Sequence, residues 1–402
     1  VTNQVLMARQ PILDQNFRVV AYELLYRDEN NRANSSFFDG SEATMKVILN
    51  SFTGIFDAGR FRKLPAFINL DQAMIEAGDL PGLPKEGVVL EILEDVKATT
   101  QVVEQVTKLA QQGYRLALDD FEYHDDFKPL LELCDVVKLD IRALTEEQLR
   151  EHVEQLKPFK VTLLAEKIET YEEFQLCLGL GCTLFQGYFL SKPQLVEGKK
   201  LSTNNLVLLE LISELDRSDV TPESLERIIS RDPELTIKVL KIVNSAAFSL
   251  ERTISSIAEA IVIIGIKELK KWALLLSVSQ HTEKPSEISR QLLCRARMTE
   301  LMAGKTAAAA PSAGFMAGIL SGLDALLDLP IHIILEQIPL EPELKAAVTE
   351  STGNLGILIQ DIKAYMAGDW DSVSDKYSLA DLAESQNNAM QWTSETQQMM
   401  AS

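Results

Sequence analysis

Cysteine and histidine are scarce in this chain of 402 residues, with four of each. Cys134, Cys177, Cys182 and Cys294 form no C-x-x-C pair and are too few for a disulfide framework, so buried free thiols are expected. His124, His152, His281 and His332 are too sparse for a hydrolytic site built mainly on imidazole. Long apolar runs are missing too: no window approaches the ~18 uninterrupted apolar residues of a membrane span. The opening VTNQVLMARQPILDQ has no basic stretch followed by an apolar one, so no secretory signal is read there and a cytoplasmic location is expected. Basic residues are outnumbered, 39 Lys and Arg against 59 Asp and Glu, for a net charge of −20. That balance argues against nucleic acid or an anionic membrane as partner. It leaves room for an anionic ligand wherever bound metal ions reverse the local sign.

The length suggests two domains, and the sequence pattern changes near residue 200. Up to there, short β-like runs alternate with helical stretches. The runs are VLMAR (5–9), VVAYELLY (19–26), AFINL (66–70), VVLEI (88–92), RLALD (115–119), VVKLD (136–140), VTLLAE (161–166) and LFQGYF (184–189). Between them lie segments such as TQVVEQVTKLAQQGY (100–114), with helical spacing and a closing Gly113. Such alternation predicts a parallel sheet, and eight runs fit a (β/α)8 barrel, with a doubly wound open sheet as the alternative. SKPQLVEGKKLST (191–203) reads as a linker. Beyond it the chain reads as all-α, over 205–215, 222–230, 233–245, 255–265 and 266–280, with Asp216, Asp219, Thr221 and Asp232-Pro233 supplying turns and caps. The polar tail 384–402 is expected to dock as a helix or to fray. The expected domains are therefore 1–200 and 201–402.

The β-like runs carry polar residues where apolar ones belong: Glu23, Asn69, Glu91, Asp119 with Asp120, Lys138, Glu166 with Glu169 following, and Gln186. In a (β/α)8 barrel the C-terminal strand ends converge on one mouth, where active sites lie. Carboxylates with an amide oxygen make a hard-oxygen site suited to Mg²⁺ or Mn²⁺. Two such ions, about 4 Å apart, can activate a water and clamp a phosphate oxygen. A rim lysine can offset charge developing in the transition state.

RQPILDQNFRVVAYELLYR, FINL, LEILE, LALDDF, VVKLD, LLAEKIET and GCTLFQGYFLSKP together resemble the ordered motifs of EAL domains, over roughly residues 1–200. These are (β/α)8 enzymes that hydrolyse cyclic di-GMP to linear pGpG. The signature triplet is Glu23-Leu24-Leu25, with Leu replacing Ala. The resemblance implies that Glu23, Asn69, Glu91, Asp119 and Asp120 are metal ligands and that Glu23, Lys138 and Glu166 are catalytic. It also implies that Arg27, Glu169 and Gln186 contact the ligand, and that Glu94 braces the loop after the Asp pair. The chain departs from the family at Glu122-Tyr123-His124, where glycines are usual. Losing them removes positive-φ freedom beside the Asp pair.

DPELTIKVLKIVNSAAF (232–248), TISSIAEAIVIIGIKELKKWAL (253–274) and FMAGILSGLDALLDLP (315–330) resemble the HDOD domain, an all-helical relative of HD phosphohydrolases, over about 200–375. Ser321-Gly322 stands in the segment resembling the His-Asp helix, and neither residue can hold a metal as that pair does. Asn244-Ser245 is read as a helix-ending turn that orders the next segment. The expected whole is a cyclic di-GMP signalling protein, an EAL-like barrel with a non-catalytic HDOD module that meets a protein partner, and a possible homodimer. An inactive receptor or scaffold is the alternative.

Overall fold

The computed structural model describes residues 5–28, 64–78, 85–121, 123–187, 203–216, 220–245, 248, 253–279, 286–336, 338 and 340–401. The linker expected at 191–203, all but its last residue, lies outside them, as do Glu122 and His281. Two compact units emerge: Val1–Leu190 with Met366–Asp371, and Ser191–Tyr365 with Ser372–Ser402.

The first unit is a closed barrel of eight strands in sequence order. They are β1 (Val5–Asp14), β2 (Val19–Asp28), β3 (Ala66–Leu70), β4 (Val88–Ile92), β5 (Arg115–Leu118), β6 (Val136–Asp140), β7 (Thr162–Glu166) and β8 (Leu184–Phe185). Helices α1 (Gln72–Ala77), α2 (Thr100–Gln111), α3 (Lys128–Leu131), α4 (Glu146–Leu156) and α5 (Tyr171–Leu180) connect successive strands from β3 onward. Local chemistry marks their ends. Thr145 with Gln148, and Thr170 with Glu173, close capping boxes, and Gly181 ends α5 in the left-handed region.

The expected parallel sheet needs one correction: β1 runs antiparallel to both β2 and β8. Asp14 explains part of this. Its carboxylate accepts from the Asn16 and Arg18 amides, turning the chain straight back into β2. β1 also continues past Arg9 through Pro11, five residues beyond the expected run. The proline is tolerated because its partner Tyr22 sends its N–H to Pro65 O on the far side, so the Pro11–Tyr22 pair is the non-hydrogen-bonded kind.

One layer of the barrel interior is apolar: Ile12, Ala21, Phe67, Val89, Ala117, Val136 and Leu164, with Leu184 against them. Outside the strands, residues such as Val102, Val106, Leu149, Val153 and Phe174 fill the gap between sheet and helices.

The second unit is helical, as expected. Thr221 and Asp232 accept from the Ser224 and Leu235 amides, and Pro222 and Pro233 follow each cap. Asn244 ends the helix Pro233–Val243 and ties it to Ile254, accepting from its N–H at 2.6 Å and donating to its carbonyl at 2.8 Å. Asn244 is thus a structural joint. Helices Ser286–Thr306 and Pro311–Leu320 approach closely: a Cβ on Gly318 would lie 2.4 Å from Ala296 Cα. The tail forms helix Leu379–Ala401. No helix among the described residues is long and apolar enough to cross a membrane.

Candidate functional site: a ring of carboxylates around a buried lysine

Side chains alternate faces along a strand, so positions two apart share a face. Stepping two residues from the apolar layer toward the C-terminal strand ends gives Glu23, Asn69, Glu91, Asp119, Lys138, Glu166 and Gln186. These are the polar residues that interrupt the β-like runs. The same step on the reversed β1 runs the other way, from Ile12 to Gln10.

The ring centres on Lys138, which is 1% exposed. Its Nζ donates to Asp119 Oδ1 at 2.7 Å, to Glu23 Oε2 at 3.3 Å and to Glu91, and pairs with Glu166 Oε2 at 3.3 Å. Burial disfavours its charge, but Glu23, Glu91, Glu166 and Asp119 together hold its pKa well above the ordinary lysine value. Burial, with the negative charges of neighbouring carboxylates, pushes Glu91 and Glu166 well up despite Lys138. Burial pushes Asp119 up as well, but Lys138 and hydrogen bonds from Glu91, Lys138 and the Asp120 backbone outweigh it and leave Asp119 below the usual range.

A second lysine stands on the rim. Lys167 donates to Asp140 Oδ2 at 2.6 Å and to Asp120 Oδ2 at 2.9 Å. Partial burial lowers its pKa, but those two carboxylates outweigh burial and raise it. Asp120 and Lys167 both have positive φ, 39° and 58°, a strained backbone of the kind found at functional sites. Gln186 is held by a tight join. A Cβ on Gly187 would fall 2.2 Å from Ile168 O, and Ile168 N–H donates to Gln186 O. The Gln186 amide donates to Glu23 Oε2 at 2.7 Å and to Gln10 Oε1 at 2.8 Å. Gln10 in turn donates to Ala367 O, in the Met366–Asp371 segment of the same unit.

Six carboxylates (Glu23, Glu91, Asp119, Asp120, Asp140 and Glu166) thus face two lysines. Glu91 Oε2, Glu166 Oε1 and Gln186 Oε1 are buried acceptors with no hydrogen-bond donor. Such orphan acceptors are costly unless something positive meets them. Asp119, Asp120 and Glu166 also bring carboxylate oxygens within 4.8 Å of one another. An all-oxygen donor set with surplus negative charge fits hard divalent cations.

Against known proteins, the EAL domain matches residues 2–193 and the HDOD domain residues 201–329. Over 403 residues the chain is 32% identical to the cyclic di-GMP phosphodiesterase CdgJ of Vibrio cholerae, across 98% of this chain and 93% of that protein. The chain belongs to the EAL–HDOD family. The protein YuxH of Bacillus subtilis is likewise 31% identical, over 97% of this chain and 98% of its own length. Among solved structures, Bacillus subtilis YkuI, which has an EAL domain and is in complex with cyclic di-GMP and calcium, is 21% identical. That match covers 65% of this chain and 73% of YkuI, with a TM-score of 0.37.

Within this EAL–HDOD chain, the barrel brings Glu23, Glu91, Asp119, Lys138, Glu166 and Gln186 together, and Asn69 stands in register with Glu91. Asp120 accepts from Lys167 while its carboxylate stays within 4.8 Å of Asp119 and Glu166. Glu169 pairs with Arg142 at 3.4 Å on the rim, outside the ring. Glu94 is exposed; partial burial, with Asp119 and Asp120 nearby, raises its pKa. The Arg27 side chain lies outside the described residues. After the Asp pair, Tyr123 packs edge-on against Phe121, and His124 caps the short turn Asp125–Phe127. Sequence reasoning passed over Gln10, Asp140 and Lys167. For Gln10 the signal was the polar residue two before Ile12, visible only once β1 is reversed. For Lys167 it was a lysine directly after Glu166.

Proposed function

We propose that the barrel (residues 1–200) binds cyclic di-GMP and hydrolyses one phosphodiester bond to give pGpG, using Mg²⁺ or Mn²⁺. The helical domain (201–402) is its non-catalytic signalling module and meets a protein partner. The observation that carries this reading is the complete ring at the strand ends, with orphan buried acceptors on Glu91, Glu166 and Gln186. CdgJ, a cyclic di-GMP phosphodiesterase alike over almost its full length, supports the same substrate.

Glu23, Asn69, Glu91, Asp119 and Asp120 would hold the divalent ions, with Glu166 close enough to share them. The ions would supply an activated water and charge neutralisation on the phosphoryl oxygens. Lys138, already the cation of the ring, stabilises negative charge developing at that phosphate. Glu166, carrying a proton more readily than an ordinary carboxylate, is suited to proton transfer. Gln186 fixes the Glu23 carboxylate by hydrogen bond.

The test is pGpG release from cyclic di-GMP with Mg²⁺ or Mn²⁺, followed by chromatography. Glu23→Ala should lower the rate at least about 100-fold. Asp120 bound to Lys167 favours a second reading, a receptor that holds cyclic di-GMP without cutting it. Tight binding with no pGpG would replace the enzyme by that receptor. Neither binding nor turnover would defeat both.

A further inference from the structure

The barrel unit includes a segment far from its strands in sequence, Met366–Asp371. The segment starts at the end of helix Gly353–Ala367. The last carbonyls of a helix have no partner inside it. Here one of them, Ala367 O, accepts from Gln10 Nε2 at 2.9 Å. Gly368 follows with φ 80°, the left-handed turn that commonly ends helices. It lies against β2, where its Cβ would fall 2.5 Å from Leu25 Cδ1. Leu25 is two residues from Glu23 and so shares its face. Gln10, on β1, stands directly opposite Glu23. The segment thus meets the barrel on the two strands that flank the Glu23 corner of the ring.

A backbone carbonyl can only accept. Ala367 O therefore holds the Gln10 amide with its NH2 toward the segment and its Oε1 toward Gln186. Gln186 must then present its own NH2. It gives one proton to Gln10 Oε1 at 2.8 Å and the other to Glu23 Oε2 at 2.7 Å. Lys138 donates to the same Glu23 oxygen, which leaves Oε1 as the oxygen that accepts from neither. From Ala367 to Glu23 the donors run in one order, and the fixed acceptor at the outer end sets it.

We propose that Ala367 is a positioning residue of the barrel site: its carbonyl, through Gln10 and Gln186, sets how the Glu23 carboxylate is presented to divalent ions. This role rests on the metal-site reading above and extends it, since a ring braced by residues 366–371 is not complete in residues 1–200 alone. Groups standing behind a metal ligand commonly change metal affinity by about 10–100-fold.

Two variants of the full chain loosen the relay without altering a carboxylate. Gln10→Met removes both amide hydrogen bonds. Gly368→Val puts a branched side chain at positive φ against Leu25 and displaces Ala367. Mn²⁺ uptake without nucleotide is followed by the electron paramagnetic resonance signal of the free ion. Each variant, folded by circular dichroism, should bind Mn²⁺ at least about tenfold more weakly. Excess Mn²⁺ should restore the pGpG release of the unmodified chain, which a disordered site would not allow. Gly179→Ala, in the same barrel, should leave the affinity as it is. Unchanged affinity in either folded relay variant overturns the role of Ala367. No Mn²⁺ uptake by the unmodified chain would defeat the metal-site reading. The relay is then decided in the metal-free chain labelled with ¹⁵N-glutamine: Gly368→Val should move the Gln186 side-chain NH2 signal, and a signal that stays in place overturns the relay.

Discussion

Lys138 is a lysine doing the work of a resident cation. Four carboxylates reach it, and it is almost wholly removed from water. Removing one partner from a buried charge network leaves uncompensated charge. Lys138→Met should therefore destabilise the metal-free barrel by about 3 kcal/mol. Divalent ions should restore much of that loss, since they meet the same oxygens. Thermal unfolding in EDTA and in excess Mg²⁺ checks this, and an unchanged Tm in EDTA counts against it. Lys363 poses the opposite case. Its pKa falls from 10.5 unfolded to about 8 folded, so the charged form is the disfavoured one in the native state. The penalty is fully present below about pH 8 and vanishes as pH rises past the unfolded value. Lys363→Met should thus stabilise the helical unit at pH 7 by about 1 kcal/mol, after discounting for solvent. That advantage should shrink steadily above pH 8 in melts run across the range.

At the scale of elements, glycines in two helices make a matched test. Gly318 lies against the Ala296 backbone, which cannot step aside, so Gly318→Ala should cost about 2 kcal/mol despite its better helix propensity. Gly179, in α5, has open space where its Cβ would go, so Gly179→Ala should gain about 0.5–1 kcal/mol. Chemical denaturation of both variants decides the pair, and equal effects would show that space is not the controlling quantity. The strands show where a sequence can be read and where it cannot. Period two made Glu23, Glu91, Asp119, Lys138 and Glu166 conspicuous as polar breaks in apolar runs, and a shared strand end predicted their meeting. The direction of β1 was hidden, because a strand and its reverse have the same alternation. Gln10 was lost with it. The partners of Lys167 and Glu169 were hidden for another reason: each residue sits in the loop after β7, where partners are set by backbone turns and not by periodicity.

On the scale of the whole molecule, two units have separate cores, one around Leu90, Leu116 and Val137, the other around Val239, Ile242 and Leu269. A ligand stabilises only the unit that binds it. Scanning calorimetry should resolve two transitions, with Mg²⁺ or Mn²⁺ raising one alone. A single transition shifted as a block would mean that the units unfold together.

The reversed first strand also sets an order of events during synthesis. β1 can pair with β2 as soon as both emerge, but its other neighbour, β8, is among the last barrel segments made. Gln10 and Gln186, which complete the ring by hydrogen bond, are 176 residues apart. Local hairpins form early and distant pairings late. The nascent chain therefore carries Glu23, Glu91 and Asp119 before Lys138 is made, and all of them before β8 closes the ring. Divalent ions captured by that growing barrel would report its closure, and a pulse of metal-dependent protection should appear only after β8 has left the ribosome.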